Sequence, residues 1–301
     1  MKIVFFGTPD YVLPILVSIH KKFVTGPGKS PIVAVVTQSP KPTGRKKVLA
    51  YSPIDKWAHD RKIPVYYSPN DLLDNPPNAD LGILASYGEI IKKDVINLFP
   101  HGILVVHPSL LPKYRGASPI PAVIKNGETV TGVSIIKMDE EMDHGPIVSQ
   151  FKEDILPSDT TGVLRSRLFE RSAQVLTDLI PSYIEGKIKL KIQDDSQATF
   201  TKLMKKDDGF IDLTKTDPVT AERFVRAMDP WPIAWTYVTL RNEGEKRKVR
   251  LKIIKAHLED GKFVPDIVQL EGKNPVQWKQ FAQAYKDSLL LPRGKLFQLQ
   301  V

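Results

Sequence analysis

Residues 102–120 read G-I-L-V-V-H-P-S-L-L-P-K-Y-R-G-A-S-P-I, and the fold follows from them. Ile103 to Val106 is an apolar run of strand length, and His107 stands at its end. Pro108, Pro112 and Gly116 then take the chain out of the sheet as an irregular loop. In an open parallel α/β sheet, ligands bind beyond the carboxyl ends of the strands. A histidine at that edge, on a loop stiffened by proline, is a candidate for proton transfer near neutral pH. The alternative for an isolated histidine is a polar residue that merely ends a strand.

A second stretch, Thr131 to Val148, has the same design: T-G-V-S-I-I-K-M-D-E-E-M-D-H-G-P-I-V. A strand over Val133 to Met138 enters an acidic loop with Asp139, Glu140, Glu141 and Asp143, followed by Gly145-Pro146. A carboxylate on a neighbouring strand end can orient His107 and favour its charged form. His144 reads as a surface residue, and Arg115 as a structural clamp, because its planar fork suits loop carbonyls or carboxylates.

Toward the N-terminus, a strand (Lys2 to Phe6), a turn (Gly7-Thr8-Pro9-Asp10), a helix (Val12 to Ile19) and a strand (Ile32 to Val36) make a doubly wound opening. Neither G-x-G-x-x-G nor G-x-x-x-x-G-K-[ST] occurs, so nothing supports a dinucleotide or nucleoside triphosphate site. A helix (Ile54 to Arg61) and strands (Pro64 to Tyr67, Asp80 to Ala85) follow, with Ser86-Tyr87-Gly88 at the last strand's carboxyl edge. Beyond the central loops come a short helix (Pro119 to Ile124) and a long amphipathic helix (Thr160 to Glu185) with Leu164, Leu168, Leu176, Leu179 and Ile180 as its stripe. The fold class expected is therefore α/β, a doubly wound, mostly parallel sheet over residues 1–187. A polar linker (188–206) leads to a small β-barrel domain (207–301). Its short strands are Trp235 to Leu240, Val249 to Ala256, Lys262 to Val264 and Leu289 to Leu291, with Arg241 to Lys248 as a basic turn. Trp231 and Trp235 are expected in its core.

The chain has 301 residues, 42% hydrophobic and 26% charged, as a two-domain globular protein should. Cysteine is absent, so disulfides and thiolate metal sites are excluded. No stretch approaches the roughly 20 apolar residues of a membrane span, and the N-terminal apolar run is too short for a signal peptide. A cytoplasmic, monomeric protein with no metal and no membrane contact is the expectation. The net charge is +9, and residues 201–301 hold 19 Lys/Arg against 13 Asp/Glu. That excess suits a polyanion such as RNA. The Pro/Gly-rich loop Gln38 to Lys47, with Lys41, Arg45, Lys46 and Lys47, can reach phosphate or a base edge.

H-P-S-L-L-P-K-Y-R-G-A-S-P-I with M-D-E-E-M-D-H-G closely resembles the folate-dependent formyltransferases. Phe6 to Asp10 is similar to their opening. The basic loop, D-G-F-I-D (Asp208 to Asp212) and D-P-W-P (Asp229 to Pro232) are most similar to the branch acting on methionyl-tRNA. The resemblance covers nearly the whole chain. It implies a Rossmann-like catalytic domain and an OB-like C-terminal domain, 10-formyltetrahydrofolate as formyl donor, and initiator methionyl-tRNA as acceptor. It places Tyr87, Gly88, Ser109, Leu110, Leu111, Pro112, Asp139 and Glu141 around the folate. It places Lys41, Arg45, Lys46, Lys47, Lys246, Arg247 and Lys248 against the tRNA.

Formyl transfer needs a neutral attacking amine, stabilisation of the oxyanion and protonation of the leaving folate nitrogen. Family members use an Asn-x-His pair and an Asp for these tasks. His107 and Asp143 occupy the last two positions, but the Asn position holds Val105, which offers no hydrogen bond. The expectation is impaired formyl transfer to methionyl-initiator tRNA. The rivals are a sugar-nucleotide N-formyltransferase and a catalytically silent tRNA- or folate-binding homologue.

Overall fold

The computed structural model describes residues 1–26, 28–43, 48–242, 245–286 and 289–290. The chain divides into two units. Residues 1–119, 130–154 and 165–201 make the first, and residues 120–129, 155–164 and 202 onward make the second.

The first unit is built on a seven-stranded sheet. In chain order the strands are β1 (Ile3–Gly7), β2 (Ile32–Val36), β3 (Val65–Tyr66), β4 (Leu81–Ala85), β5 (Ile103–His107), β6 (Val130–Lys137) and β7 (Ile147–Asp154). Their spatial order is β7-β6-β5-β4-β1-β2-β3. Strands β1 to β5 are mutually parallel; β6 runs antiparallel to β5, and β7 to β6. All five residues of β1 are buried, as a parallel strand covered on both faces requires. The helix Leu13–Phe23 contributes Ile15, Leu16 and Ile19, and the long helix Thr161–Ile184 contributes Leu168, Leu176 and Ile180, all fully buried. The chain order reverses between β1 and β4, so the loops after these strands diverge at a topological switch point. Those loops hold Thr8 and Ser86-Tyr87-Gly88.

The mostly parallel α/β sheet agrees with the sequence reading for β1 to β6; β7 was not named there as a strand. Three short helices, Asp71–Asp74, Lys93–Ile96 and Trp278–Ala284, were not foreseen; two are single turns, too brief to show a periodicity. The loop Gln38 to Lys47, expected to be irregular, carries one arm of a small antiparallel pair, Lys41–Thr43 with Val48–Ala50.

The second unit contains a five-stranded antiparallel sheet. Its strands are β8 (Ala234–Asn242), β9 (Glu245–Glu259), β10 (Lys262–Leu270), β11 (Val276–Gln277) and β12 (Leu289–Leu290), and its interior holds Val238, Leu251, Val268, Leu270 and Phe281. The basic turn expected over Arg241 to Lys248 is shorter than that. Lys246, Arg247 and Lys248 lie within β9, paired with Arg241, Leu240 and Thr239. Charged residues on an exposed strand segment hide the strand from a reading based on apolar content. Trp235 is buried as expected, but Trp231 is 54% exposed and is not a core residue. Among the described residues, no helix is long and apolar enough to cross a membrane.

Candidate active site

Side chains alternate across β5, so Val105 and His107 share one face. Val105 pairs with Ile136 of β6 and packs in an apolar cluster with Leu111, Ile136 and Ile147; Leu84 and Met138 lie against it. His107 is the next residue on that face and lies where β5 gives way to the loop.

The imidazole has two neighbours. Nε2 lies 2.9 Å from the carbonyl oxygen of Tyr114. A carbonyl only accepts, so Nε2 donates and the exchangeable position is Nδ1. Nδ1 faces Asp143 Oδ2 at 3.4 Å. The same Oδ2 accepts the backbone N–H of Gly116 at 2.7 Å. His107 and Asp143, brought from two different strand ends, thus meet over one loop, with the imidazole buried and the carboxylate partly so. Such a pair can take up and release a proton at Nδ1, the requirement for general acid–base chemistry.

Three segments hold the pair. Residues Arg115–Gly116 form a parallel pair with Phe200–Thr201. Arg115 N donates to Thr199 O at 2.8 Å, and Tyr114 N to Thr199 Oγ1 at 2.8 Å. Gly116 has φ +101°, and a Cβ there would stand 2.3 Å from Thr201 O, so glycine is required where the chain passes Asp143. Asp143 itself has φ +52°, a left-handed conformation that a short polar side chain tolerates better than most. Two residues on, a Cβ at Gly145 would lie 1.9 Å from the carbonyl of Lys137.

The third segment is 193–195. The buried amide of Gln193 donates to the carbonyls of Asp143 and Gly145, each at 2.8 Å. Its oxygen accepts from Arg115 Nε and Nη2 at 3.1 and 2.9 Å, and Nη2 also reaches Asp195 Oδ1 at 2.7 Å. The Arg115 guanidinium, with His144 nearby, holds the Asp195 carboxyl below the usual carboxylate range. Arg115 is therefore a clamp, 4% exposed, as its residue type suggested. Gln193 and Asp195 were missed because Q-D-D-S-Q (193–197) reads as linker polarity, and nothing in the polar residues around it sets them apart. Replacing Arg115 by lysine removes the fork and leaves the Gln193 oxygen short of a donor. The expected result is a loss of about 1–3 kcal/mol of unfolding free energy. Urea denaturation measures it, and an unchanged midpoint contradicts the clamp.

The other expected site residues fall as follows. Tyr87 is 1% exposed, with its ring edge-on to Phe6 at 6.1 Å, so only its backbone can face a ligand. Its carbonyl accepts from Gln38 Nε2 at 3.3 Å, and burial pushes the phenol well above its ordinary value. Gly88 is exposed beside it. Ser109 is buried and committed: Oγ donates to Lys113 O at 2.7 Å and its carbonyl accepts from Ser134 Oγ at 2.7 Å. Leu111 is 4% exposed, while Leu110 and Pro112 are partly exposed. Asp139 is taken up within its own loop by Glu141 N–H at 3.1 Å and by His144 Nδ1 at 2.6 Å; Glu141 is exposed. His144 is not a plain surface residue: its ring bridges Asp139 and Asp195. Lys41 is exposed; Arg45, Lys46 and Lys47 lie outside the described residues. Lys246 and Arg247 are exposed, and Lys248 Nζ lies 4.2 Å over the Tyr237 ring.

Residues 1–180 match the family model described as formyl transferase, and residues 203–265 match formyl transferase, C-terminal domain. The methionyl-tRNA formyltransferase of Chloroflexus aggregans is 41% identical over 244 residues, covering 79% of this chain and 76% of that one. That of Listeria monocytogenes (strain CLIP80459) is 34% identical over 298 residues, covering 90% and 92%. Among solved structures, an N-formyltransferase from Helicobacter canadensis, in complex with folinic acid and dTDP-3-aminofucose, superposes with a TM-score of 0.66 at 16% identity. The match covers 92% of this chain and 98% of that one.

Proposed function

Because this chain belongs to the formyl transferase family, in both its N-terminal and its C-terminal domain, we propose that it transfers the formyl group of 10-formyltetrahydrofolate to the amino group of methionyl-initiator tRNA. The observation that carries this reading is His107 Nδ1 facing Asp143 Oδ2 at 3.4 Å beyond the carboxyl end of β5. The residues present fit the flat pterin ring of such a cosubstrate, which needs an apolar slot with a few polar backbone groups at its edge. Leu84, Leu111, Ile136 and Met138 cluster beside the pair, and backbone at Tyr87 and Gly88 emerges at the adjacent strand end. When bound, 10-formyltetrahydrofolate supplies the formyl carbon.

The chain's own residues divide the work. His107 gives and takes the proton at Nδ1, with Asp143 orienting the ring. Tyr114 O fixes the tautomer through Nε2. Leu111, with Ser109, Leu110 and Pro112 around it, supports the donor, while Asp139 and Glu141 border it. Lys41, Arg45, Lys46 and Lys47 on one loop, and Lys246, Arg247 and Lys248 on β9, neutralise phosphates of the tRNA. Residues 1–187 are the catalytic part and 207–301 the tRNA-binding part, and the protein works as a cytoplasmic monomer. The relatives named methionyl-tRNA formyltransferase, matched over most of their length, support the acceptor.

The test is formylation of charged initiator tRNA, run beside a sugar-nucleotide amine with the same donor. Product on the tRNA alone supports the reading; product on the sugar alone replaces it. Binding should weaken with salt, with a log–log slope of roughly −0.7 to −0.9 per phosphate contact. A slope near zero removes the electrostatic role given to the lysines. Val105 favours a second reading, a silent tRNA-binding homologue, whose signature is salt-sensitive binding with no product even after Val105→Asn.

A further inference from the structure

His144 lies outside the His107–Asp143 pair, yet both of its ring nitrogens face carboxylates. Nδ1 is 2.6 Å from Asp139 Oδ2, and Nε2 is 3.4 Å from Asp195 Oδ2. Asp195 is tied through its other oxygen to Arg115, and Arg115 holds Gln193. Gln193 in turn grips the carbonyls on either side of His144, those of Asp143 and Gly145. The imidazole therefore completes a closed circuit through three chain segments, 115–116, 139–145 and 193–195. Asp143, the residue before His144, belongs to this circuit through its carbonyl, and its carboxylate is seated on the Gly116 N–H.

We propose that His144, in its two-donor cationic form, is a positioning residue that keeps the Asp143 carboxylate on Gly116 and against His107. The inference rests on reading that pair as the proton-transfer centre. A neutral imidazole has one N–H and would turn a lone pair toward one of the two carboxylates; the cation donates to both. The groups facing the ring are Asp139 and Glu141 from its own loop and Asp195 from the 194–197 turn, with Arg115 sharing the Asp195 charge. The hydrogen bond to Asp139, with Asp139, Asp195 and Glu141 charges adding, holds His144 above the ordinary histidine value despite some burial. The sign follows: the latch is complete below that ordinary value, about 6.5, and is lost as pH rises through the raised one.

The Gly116 N–H donates to Asp143, so its amide exchange reports the position of the carboxylate without any turnover. Protection of Gly116, corrected for the intrinsic pH dependence of exchange, is expected to fall roughly fivefold as His144 titrates, with the ring signal followed by NMR. His144→Gln should show the lower protection at every pH. His144→Arg, a permanent cation, should keep protection at alkaline pH. Flat protection in the unaltered protein across the titration overturns the proposal and needs no variant to do so. Equal protection in His144→Gln and the unaltered protein overturns it as well. Turnover is measured separately. Protection that follows His144 while no formylated product forms, even after Val105→Asn, supports the latch and defeats the formyl-transfer reading alone.

Discussion

Val105→Asn is expected to raise kcat for formyl transfer about 100- to 1000-fold, the usual worth of one donor aimed at a developing oxyanion. The geometry places the new amide on the same face of β5 as His107, two residues earlier, where Val105 is now 6% exposed. Acyl transfer builds negative charge on an oxygen, and around position 105 that face currently offers only apolar groups, from Val105, Leu111, Ile136 and Ile147. The interaction would exist mainly in the transition state, so kcat should carry the gain and KM should move little. Stability should move the other way. An amide among those side chains, without a ligand to bond, costs about 1–3 kcal/mol. The variant should therefore be faster and melt earlier. Equal turnover by the two proteins, measured on charged initiator tRNA, removes the argument about the missing donor.

The second large effect concerns the pair itself. His107→Gln and Asp143→Asn should each lower kcat by about 100- to 10,000-fold, best measured in the Val105→Asn protein, where the starting rate is higher. Asp143→Asn is the sharper of the two. Its side chain can still accept the Gly116 N–H, so the loop has reason to keep its path. What changes is the partner of His107 Nδ1, which then faces an amide and has no carboxylate to balance an imidazolium. Because both residues act on one proton, the double variant should be little worse than the weaker single one. Losses that multiply would mean that the two groups act independently, and a change below tenfold in either would remove the pair from the reaction.

Much of this was legible in the residues. The apolar runs that became β1, β2, β4 and β5 are continuous and short, and proline or glycine closes most of them, so strand and strand end were both marked. His107 stands just past such a run, whereas Asp143 is one of four acidic residues in the loop after β6, and only the family resemblance singles it out. The supporting network was not legible. Gln193 and Asp195 are separated from Arg115 by many residues, and their role exists only in three dimensions. A polar segment that feeds a buried guanidinium has the same composition as one that feeds only water. His144 reads as a surface residue for a related reason: one of its two carboxylate partners, Asp195, is 51 residues away in the chain and meets it only in the folded state. The β9 strand was cut short because its first residues are charged, although a strand with one wet face admits any cation there.

The union of 115–116 with 200–201 also bears on how the polypeptide is made. A ribosome delivers every strand of the large sheet by Asp154, well before Gln193, Asp195 and Thr199 appear. Until they do, the guanidinium of Arg115 has no acceptors there, and the carbonyl of Asp143 awaits the amide that grips it. The nascent polypeptide would thus complete its large sheet first and its reactive centre only afterwards. A fragment ended at Gly186 would carry all seven strands and still be inert, so any attempt to isolate a minimal enzyme must run through Thr201.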